Sequence, residues 1–482
     1  MNRSIRFVAI FSLLLVLILM VNLTVIHAFR DDEYAANPLN NRAFLEMKTQ
    51  PRGQITAGGQ VLASSWQDDE GIYHRTYDNN YPTAYGPVTG YLSDIYGASG
   101  LESSYNNILN GTDPSLAASQ WLDTLTGKDN EGANIETTLV PAVQQTAYNA
   151  LAERGYEGAA VALRPSTGEI LALASTPGYD PNQIVDPATA EDAWSQLNSD
   201  PANPLLNTAT QETLPPGSIF KIITTAAGLD NGYDSSSSLT GASSITLPNT
   251  NTGLTNYNAQ TCGGGGQVTL QTAFALSCNT AFAEMAMDVG DEAMREAATA
   301  FGVGEQYDIG LPTSPGSLGE IPDDASLAQT AIGQRDVTMS ALQAAVMASV
   351  VANDGVRMSP YLVSRVTGTD LQELRSRSPE EMNEAISPEV AAELTDLMRA
   401  SERNTSGYTG QDIASKTGTA EHGEGVPPHT WYVAFAPSED ADVAVAVVVK
   451  DGGGQGSSAT GGSVSSPIGR EILNSALQNA RE

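Results

Sequence analysis

Basic side chains are scarce in this chain of 482 residues: 23 Lys and Arg stand against 56 Asp and Glu, a formal net charge of −33. Only five are lysines: Lys48, Lys128, Lys221, Lys416 and Lys450. Neutralising phosphates takes clustered Lys and Arg, so this balance argues against a nucleic-acid partner. It names no partner of its own, because a charge of this sign simply keeps a surface solvated and self-repelling. Histidine and cysteine are rare too. Four histidines (His27, His74, His422, His429) and two cysteines leave little material for a metal site. No HExxH, HxxEH or paired CxxC occurs, so we expect no metal and no cofactor. No GxGxxG and no lysine-bearing phosphate loop opens a helix after a strand, which argues against a nucleotide enzyme.

What is there fits a folded protein. Hydrophobic residues make up 41% and charged residues 16%. That is outside the disordered range, and the length allows more than one domain around a large core.

Residues 7–26 carry no charge, and their only polar members are Ser12, Asn22 and Thr24. Twenty residues at 1.5 Å each span a hydrocarbon core of about 30 Å. Arg3 and Arg6 precede the run, and Arg30, Asp31, Asp32 and Glu33 follow it. The positive-inside rule then puts the N-terminus in the cytoplasm and the rest outside the cell membrane. A cleaved signal peptide is the rival, but its apolar region is normally about 7 to 15 residues before an A-x-A-like site. Ile26-His27-Ala28 is a poor site, and an uncleaved single-pass anchor is the expectation. Outside the membrane thiols can oxidise. Cys262 and Cys278 allow one intramolecular bridge, and the glycines at 263–266 could bend the chain to close it. Two buried, unpaired thiols are the alternative.

Residues 30 to about 155 are polar and rich in turns, with Tyr/Asn clusters such as TYDNNYPTAYGPVTGYLSDIYG, which suggests irregular structure. A helix is expected over 140–154, closed by Gly155. AAVALR and ILALAS flank Pro165-Ser166-Thr167-Gly168 and read as a β-hairpin. A loop follows over roughly 177–215. Pro215-Pro216-Gly217 stops extended chain, and SIFKIITTAAGL starts a helix. Helical periods recur at 269–289, 291–301, 338–353 and 387–403, the last with Ser387 as N-cap and Pro388 at the first helical position. Strands are expected at 412–421, 430–436 and 443–450, and a terminal helix at 468–479. The Gly/Ser-rich stretch at 451–466 lies between them and reads as a loop inside a domain. Hairpin, helices, three-strand meander and helix predict an α/β (α+β) layer structure, with the first and last strands in one mixed antiparallel sheet flanked by helices.

Ser218 and Lys221 are three apart, so on a helix they share a face. A serine hydroxyl is a weak nucleophile until a base takes its proton. Lysine can be that base when burial and a nearby positive charge lower its pKa. Alone the S-x-x-K spacing is weak: with serine at roughly one position in ten, five lysines give about 0.5 chance matches. Ser277-Cys278-Asn279 sits between two helical stretches; Ser277 could relay a proton and Asn279 could hold a substrate amide. Lys416-Thr417-Gly418-Thr419 lies in a strand candidate. Lys416 would put a second positive charge near Lys221, Gly418 would let substrate approach the backbone, and Thr417 and Thr419 could hydrogen-bond a carboxylate.

S-x-x-K, S-x-N and K-T-G occur in that order, separated by about 60 and about 140 residues, and two of only five lysines fill the two lysine positions. The order resembles the penicillin-recognising serine acyltransferases. The likeness extends further. NNRAFLEMKTQPRGQI, with Arg42, Arg52, Gly53 and Ile55, resembles the N-terminal segment of class B penicillin-binding proteins, the peptidoglycan D,D-transpeptidases. GQVLASS, GAAVALRPSTGEILALASTPGYDPN, the Gly333-Gln334 segment, HTWYVAFAP and GGSVSSP continue the likeness, most of all to the small actinomycete type. Arg335 departs from the pattern, where glycine is frequent.

The resemblance implies a penicillin-binding transpeptidase fold. Its expected layout is a cytoplasmic tail (1–6), a transmembrane anchor (7–26), an N-terminal pedestal or dimerisation-like domain (27–155) and a transpeptidase domain (156–482). It implies that Ser218 is acylated by D-alanyl-D-alanine ends of peptidoglycan stem peptides and by β-lactams, with Lys221 as general base and Ser277 in proton transfer. Asn279, Lys416, Thr417, Gly418 and Thr419 would bind substrate, and the N–H groups of Ser218 and Thr419 would form the oxyanion hole. The implied partners are stem peptides, the membrane and a membrane glycosyltransferase, in cell-wall growth and division. A β-lactamase, a D,D-carboxypeptidase and a non-catalytic β-lactam sensor or scaffold are the alternatives.

Overall fold

The computed structural model describes residues 2–29, 48–77, 80–116, 132–368, 370–423 and 425–479. Arg42, Lys128 and the charged flank at 30–33 lie outside them. The chain opens with helix Asn2–Phe29. Its segment Ile5–Val25 is long and apolar enough to cross a membrane, and none of it is buried against the rest of the protein.

The catalytic candidates are built around a five-stranded antiparallel sheet. Its order is Ala414–Ala420, His429–Ala436, Val443–Val449, Gly158–Leu163 and Ile170–Thr176. The expected hairpin and meander therefore meet, Val443–Val449 pairing with Gly158–Leu163. Successive side chains of a strand point to opposite faces, and here both faces are covered. Val161, Val433, Ala446 and Val448 pack on one side with helix Ala341–Ala352. Ala160, Ala434, Val445 and Val447 pack on the other with helices Pro141–Ala152 and Ser465–Asn479. Burial on both faces is why VAVAVVV is an unbroken apolar run rather than an alternating one.

Several expectations hold closely. Helix Pro388–Arg403 starts at Ser387, whose side chain accepts the N–H of Val390. Cys262 and Cys278 are disulfide-bonded, their Cα atoms 5.8 Å apart. Arg335 has φ +66°, the left-handed region a glycine enters without strain, which is the physical reason its position favours glycine.

Two expectations fail. The segment 30–155 is not irregular where it is described. TYDNNYPTAYGPVTGYLSDIYG contains helix Pro82–Thr89, with proline in its first turn, and Tyr77, Tyr85 and Tyr91 are buried. Large aromatic rings fill this core without a regular period, so a periodicity search does not find it. Residues 177–215 are not one loop either: they hold helices Pro181–Val185 and Ala190–Ser199. The Asp and Pro that looked like loop residues include the cap Asp180, which accepts the Asn182 N–H at 2.9 Å, and Pro181 at the start of the helix.

A second, six-stranded sheet has the order Glu373–Ser376, Val363–Thr367, Asn134–Thr137, Ile55–Ala57, Gln60–Gln67 and Tyr73–Tyr77. Two of its strands come from far beyond residue 155, so the N-terminal region is completed by later chain. Beside it Glu102 is fully buried between two arginines. Arg52 Nε donates to it at 2.6 Å and Arg75 Nε at 2.5 Å. Burial alone would raise the Glu102 carboxyl, but Arg75 and Arg52 hold it below the usual carboxylate range.

Candidate active site

Ser218 lies in a short 3-10 turn, Gly217–Phe220, which runs into helix Lys221–Asp230. In a 3-10 turn side chains three apart eclipse, which brings Lys221 over Ser218. Lys221 Nζ is 3.0 Å from Ser218 Oγ. The turn is clamped from two sides. Trp431 Nε1 donates to Pro215 O at 2.9 Å. At Gly333 (φ +70°) a Cβ would come within 2.1 Å of Gly217 O, so only glycine lets the Gly333-Gln334 segment back the turn.

Ser277 is the middle residue of a short break between helices Leu270–Ala275 and Asn279–Val289. Its φ is +58°, unusual for serine, and the bridged Cys278 follows it directly. This bend aims two groups of Ser277 at Lys221: the carbonyl O at 2.8 Å and Oγ at 3.2 Å. Asn279 Oδ1 is also 2.8 Å from Lys221 Nζ, and its Nδ2 donates to Thr255 O at 2.9 Å. Asn279 thus holds the lysine as well as facing the site.

The K-T-G strand, Ala414–Ala420, is an edge of the central sheet. Lys416 Nζ donates to Ser277 Oγ at 2.9 Å and to Thr417 O at 3.0 Å. Thr417 and Thr419 are half-buried along the edge, and Thr419 Oγ1 accepts the Gly461 N–H at 3.4 Å. Gly418 has a different use from the one expected. A Cβ there would lie 2.8 Å from Pro216 O and 3.0 Å from Trp431 Cβ, so its bareness seats the strand against the Ser218 turn. All eight sequence-predicted acyl-transfer residues therefore fall on one contiguous site.

The two lysines decide its electrostatics. Lys221 and Lys416 are 0% and 1% exposed, and among the described residues neither pairs with a carboxylate. Phe282 and Phe274 back them, 5.3 Å and 5.7 Å from the two Nζ atoms. Burial, and then the charge of Lys416, push the Lys221 pKa well below its ordinary value. Burial pushes Lys416 down to about 7. A neutral Lys221 has two N–H donors for the fixed acceptors Ser277 O and Asn279 Oδ1, and a lone pair left for a hydroxyl proton.

Comparison with known proteins places this arrangement. Residues 158–474 match the family described as penicillin binding protein transpeptidase domain, and residues 52–135 the penicillin binding protein A dimerisation domain. The chain belongs to the penicillin-binding transpeptidase family. It is 46% identical to the peptidoglycan D,D-transpeptidase PbpA of Mycolicibacterium smegmatis, over 99% of each chain. Identity to PbpA of Mycobacterium tuberculosis is 43%, again over 99% of each. A solved ceftriaxone acyl-enzyme complex of penicillin-binding protein A from M. tuberculosis superposes with a TM-score of 0.87 at 44% identity. That match covers 90% of this chain and all of the other.

One group in this penicillin-binding transpeptidase escaped the sequence reading. Glu402 is fully buried behind the K-T-G strand. Its carboxylate accepts from Arg470 Nε at 2.7 Å, Tyr432 OH at 3.0 Å and Ser415 Oγ. The signal was there: Leu394, Met398 and Glu402 recur every four residues on one helix face, and the first two are core.

Proposed function

We propose that this chain is a membrane-anchored peptidoglycan D,D-transpeptidase in which Ser218 is the nucleophile and Lys221 its base. The carrying observation is the pair of buried lysines, without carboxylate partners among the described residues, that meet at Ser277 Oγ, one of them 3.0 Å from Ser218 Oγ. Neutral Lys221 takes the Ser218 proton as Oγ attacks the carbonyl between the two terminal D-alanines. Backbone N–H groups of Ser218 and Thr419 stabilise the oxyanion. The Ser218 turn abuts the free edge of the K-T-G strand, which suits that role. Ser277, held between both lysines, carries a proton toward the departing D-alanine amine. The acyl-enzyme on Ser218 then passes to the amino group of a neighbouring stem peptide. Lys416, Thr417 and Thr419 hold the terminal carboxylate, or that of a β-lactam, with Gly418 keeping the strand in place and Asn279 lining the site. Residues 7–26 anchor the chain as a single-pass span with the catalytic region outside, where a membrane glycosyltransferase would supply new glycan strands. The pedestal is drawn mainly from 27–155 and completed by strands Val363–Thr367 and Glu373–Ser376, while helix Pro141–Ala152 packs with the transpeptidase domain of 156–482.

A β-lactamase needs a base to deacylate the serine. Among the described residues, no hydrogen bond of Ser218, Lys221, Ser277 or Lys416 goes to a carboxylate, which favours a long-lived acyl-enzyme. Mass spectrometry after penicillin G treatment tests the assignment. The adduct is expected on the Ser218 peptide and absent in Ser218→Ala; an adduct elsewhere, or none, overturns it. With paired stem peptides the product is a cross-linked dimer, where a carboxypeptidase would give only free D-alanine.

The pH profile follows from the two lysines. Acylation by penicillin G should rise as Lys221 loses its proton, well below the ordinary lysine range. It should fall again as Lys416, with its pKa at about 7 in the free enzyme, loses the charge that meets the drug's carboxylate. A rate still climbing at about pH 10 would mean that an unshifted lysine is the base.

A further inference from the structure

Beyond the K-T-G strand lies a side-chain cluster that acyl transfer does not use. His422 follows that strand, His429 opens the next, and Asp451 follows the third. Ala420 and His429 are register partners, so the hairpin loop 421–428 starts and ends beside the cluster. His422 Nε2 is 3.0 Å from Asp451 Oδ1, and His429 Nδ1 is 3.6 Å from the same oxygen. One ligand atom from each residue lies within 4.8 Å of the other two. The carbonyl oxygen of Pro427 adds a fourth candidate ligand atom, 2.9 Å from His422 Nε2.

These separations have a meaning. Ligand atoms about a tetrahedral zinc, with bonds of about 2.0 to 2.1 Å, sit roughly 3.3 Å apart. The two N···O distances bracket that value. The Asp451 N–H donates to His429 Nδ1 at 3.2 Å, which puts the ring proton on Nε2 and the lone pair on Nδ1; a cation at Nδ1 would displace this long hydrogen bond. Asp451, Gly452 and Gly453 are three successive left-handed residues (φ 48°, 65° and 56°) that fold the carboxylate back onto the hairpin. The two imidazole rings stack with centroids 3.8 Å apart and planes within 5°. Two imidazolium ions so close would repel, so a surface ion pair explains one histidine and not both. His429 is buried while Asp451 is exposed, which leaves an approach from solvent.

We propose that His422, His429 and Asp451 form a binding site for a borderline divalent cation, of which Zn²⁺ best suits two imidazole nitrogens and a carboxylate oxygen. Pro427 O or a water completes the shell. The bound cation joins the 421–428 hairpin to the chain after Val443–Val449 and steadies the end of the strand that carries Lys416 to Thr419. The histidine count gave no reason to expect it; three separate segments have to fold together first.

Full-length protein in detergent, stripped with a chelator, tests this by Co²⁺ titration with Zn²⁺ competition. One equivalent of Co²⁺ should bind with the strong visible absorption of a four-coordinate site, and Zn²⁺ should displace it. His422→Ala and Asp451→Asn should each weaken binding at least tenfold, while His74→Ala, remote in sequence and paired with Asp68, binds as wild type. Metal-free melting of the variants, equal to that of wild type, shows that they fold. No saturable Co²⁺ binding by wild type, unchanged affinity in the two cluster variants, or equal loss in His74→Ala overturns the site.

Discussion

Replacing Lys221 with methionine should slow acylation by penicillin G by roughly 10²- to 10⁴-fold, the usual worth of a positioned general base. Lys221→Arg should lose nearly as much. Arginine keeps a positive charge but does not deprotonate in a protein, so it cannot take the Ser218 proton. The pair of variants separates a base from a fixed cation: if arginine retained most of the rate, the charge rather than the lone pair would be the working feature. Lys221→Met also leaves Ser277 O and Asn279 Oδ1 without their donor, at about 1 to 3 kcal/mol each. Rates are therefore compared well below each variant's melting temperature, with near-ultraviolet circular dichroism confirming a native fold.

Glu402→Ala should lower stability by about 3 to 5 kcal/mol, because it strands the buried Arg470 guanidinium. The loss should appear as an earlier denaturant midpoint. Combining Glu402→Ala with Arg470→Met should recover part of it, since removing both charges abolishes the uncompensated one. A single-variant cost within about 1 kcal/mol would show that neither the ion pair nor the Tyr432 and Ser415 hydrogen bonds to this carboxylate hold the joint. The position matters for chemistry as well as for folding. Ser415 precedes Lys416, and Tyr432 is the register partner of Thr417. Arg470 reaches from the terminal helix and also donates to Ser406 O at 2.6 Å. One carboxylate thus joins two helices to the K-T-G edge strand and its neighbour.

Parts of this were readable from the residues. Ser218 and Lys221 are neighbours in the chain, so their contact needs only one turn of helix. The hairpin and the meander announce themselves by apolar runs bounded by turns. Helix Pro388–Arg403 carries its own start signal in Ser387 and Pro388. Other parts were not. The bend at Ser277 stands next to a disulfide that reaches back to Cys262, and the sequence left two free thiols as an alternative. The six-stranded sheet draws Val363–Thr367 onto Asn134–Thr137, a pairing with no local signature. Gly418 looked like an opening for substrate, yet the space is filled by Pro216 and Trp431.

The scarcity of lysine therefore has two readings at two levels. The sequence by itself determined which residues are the candidates for the chemistry: with five lysines in a chain of charge −33, two falling in S-x-x-K and K-T-G left few alternatives. Lys48 and Lys450 sit beside Asp94 and Glu212, as lysines in so acidic a chain ordinarily do. Only the tertiary structure decided that Lys221 and Lys416 have no such partner among the described residues. Burial strips both of water and sets them against the same serine hydroxyl. A pKa depends on solvation and on neighbours brought in by folding, and no spacing along the chain contains either.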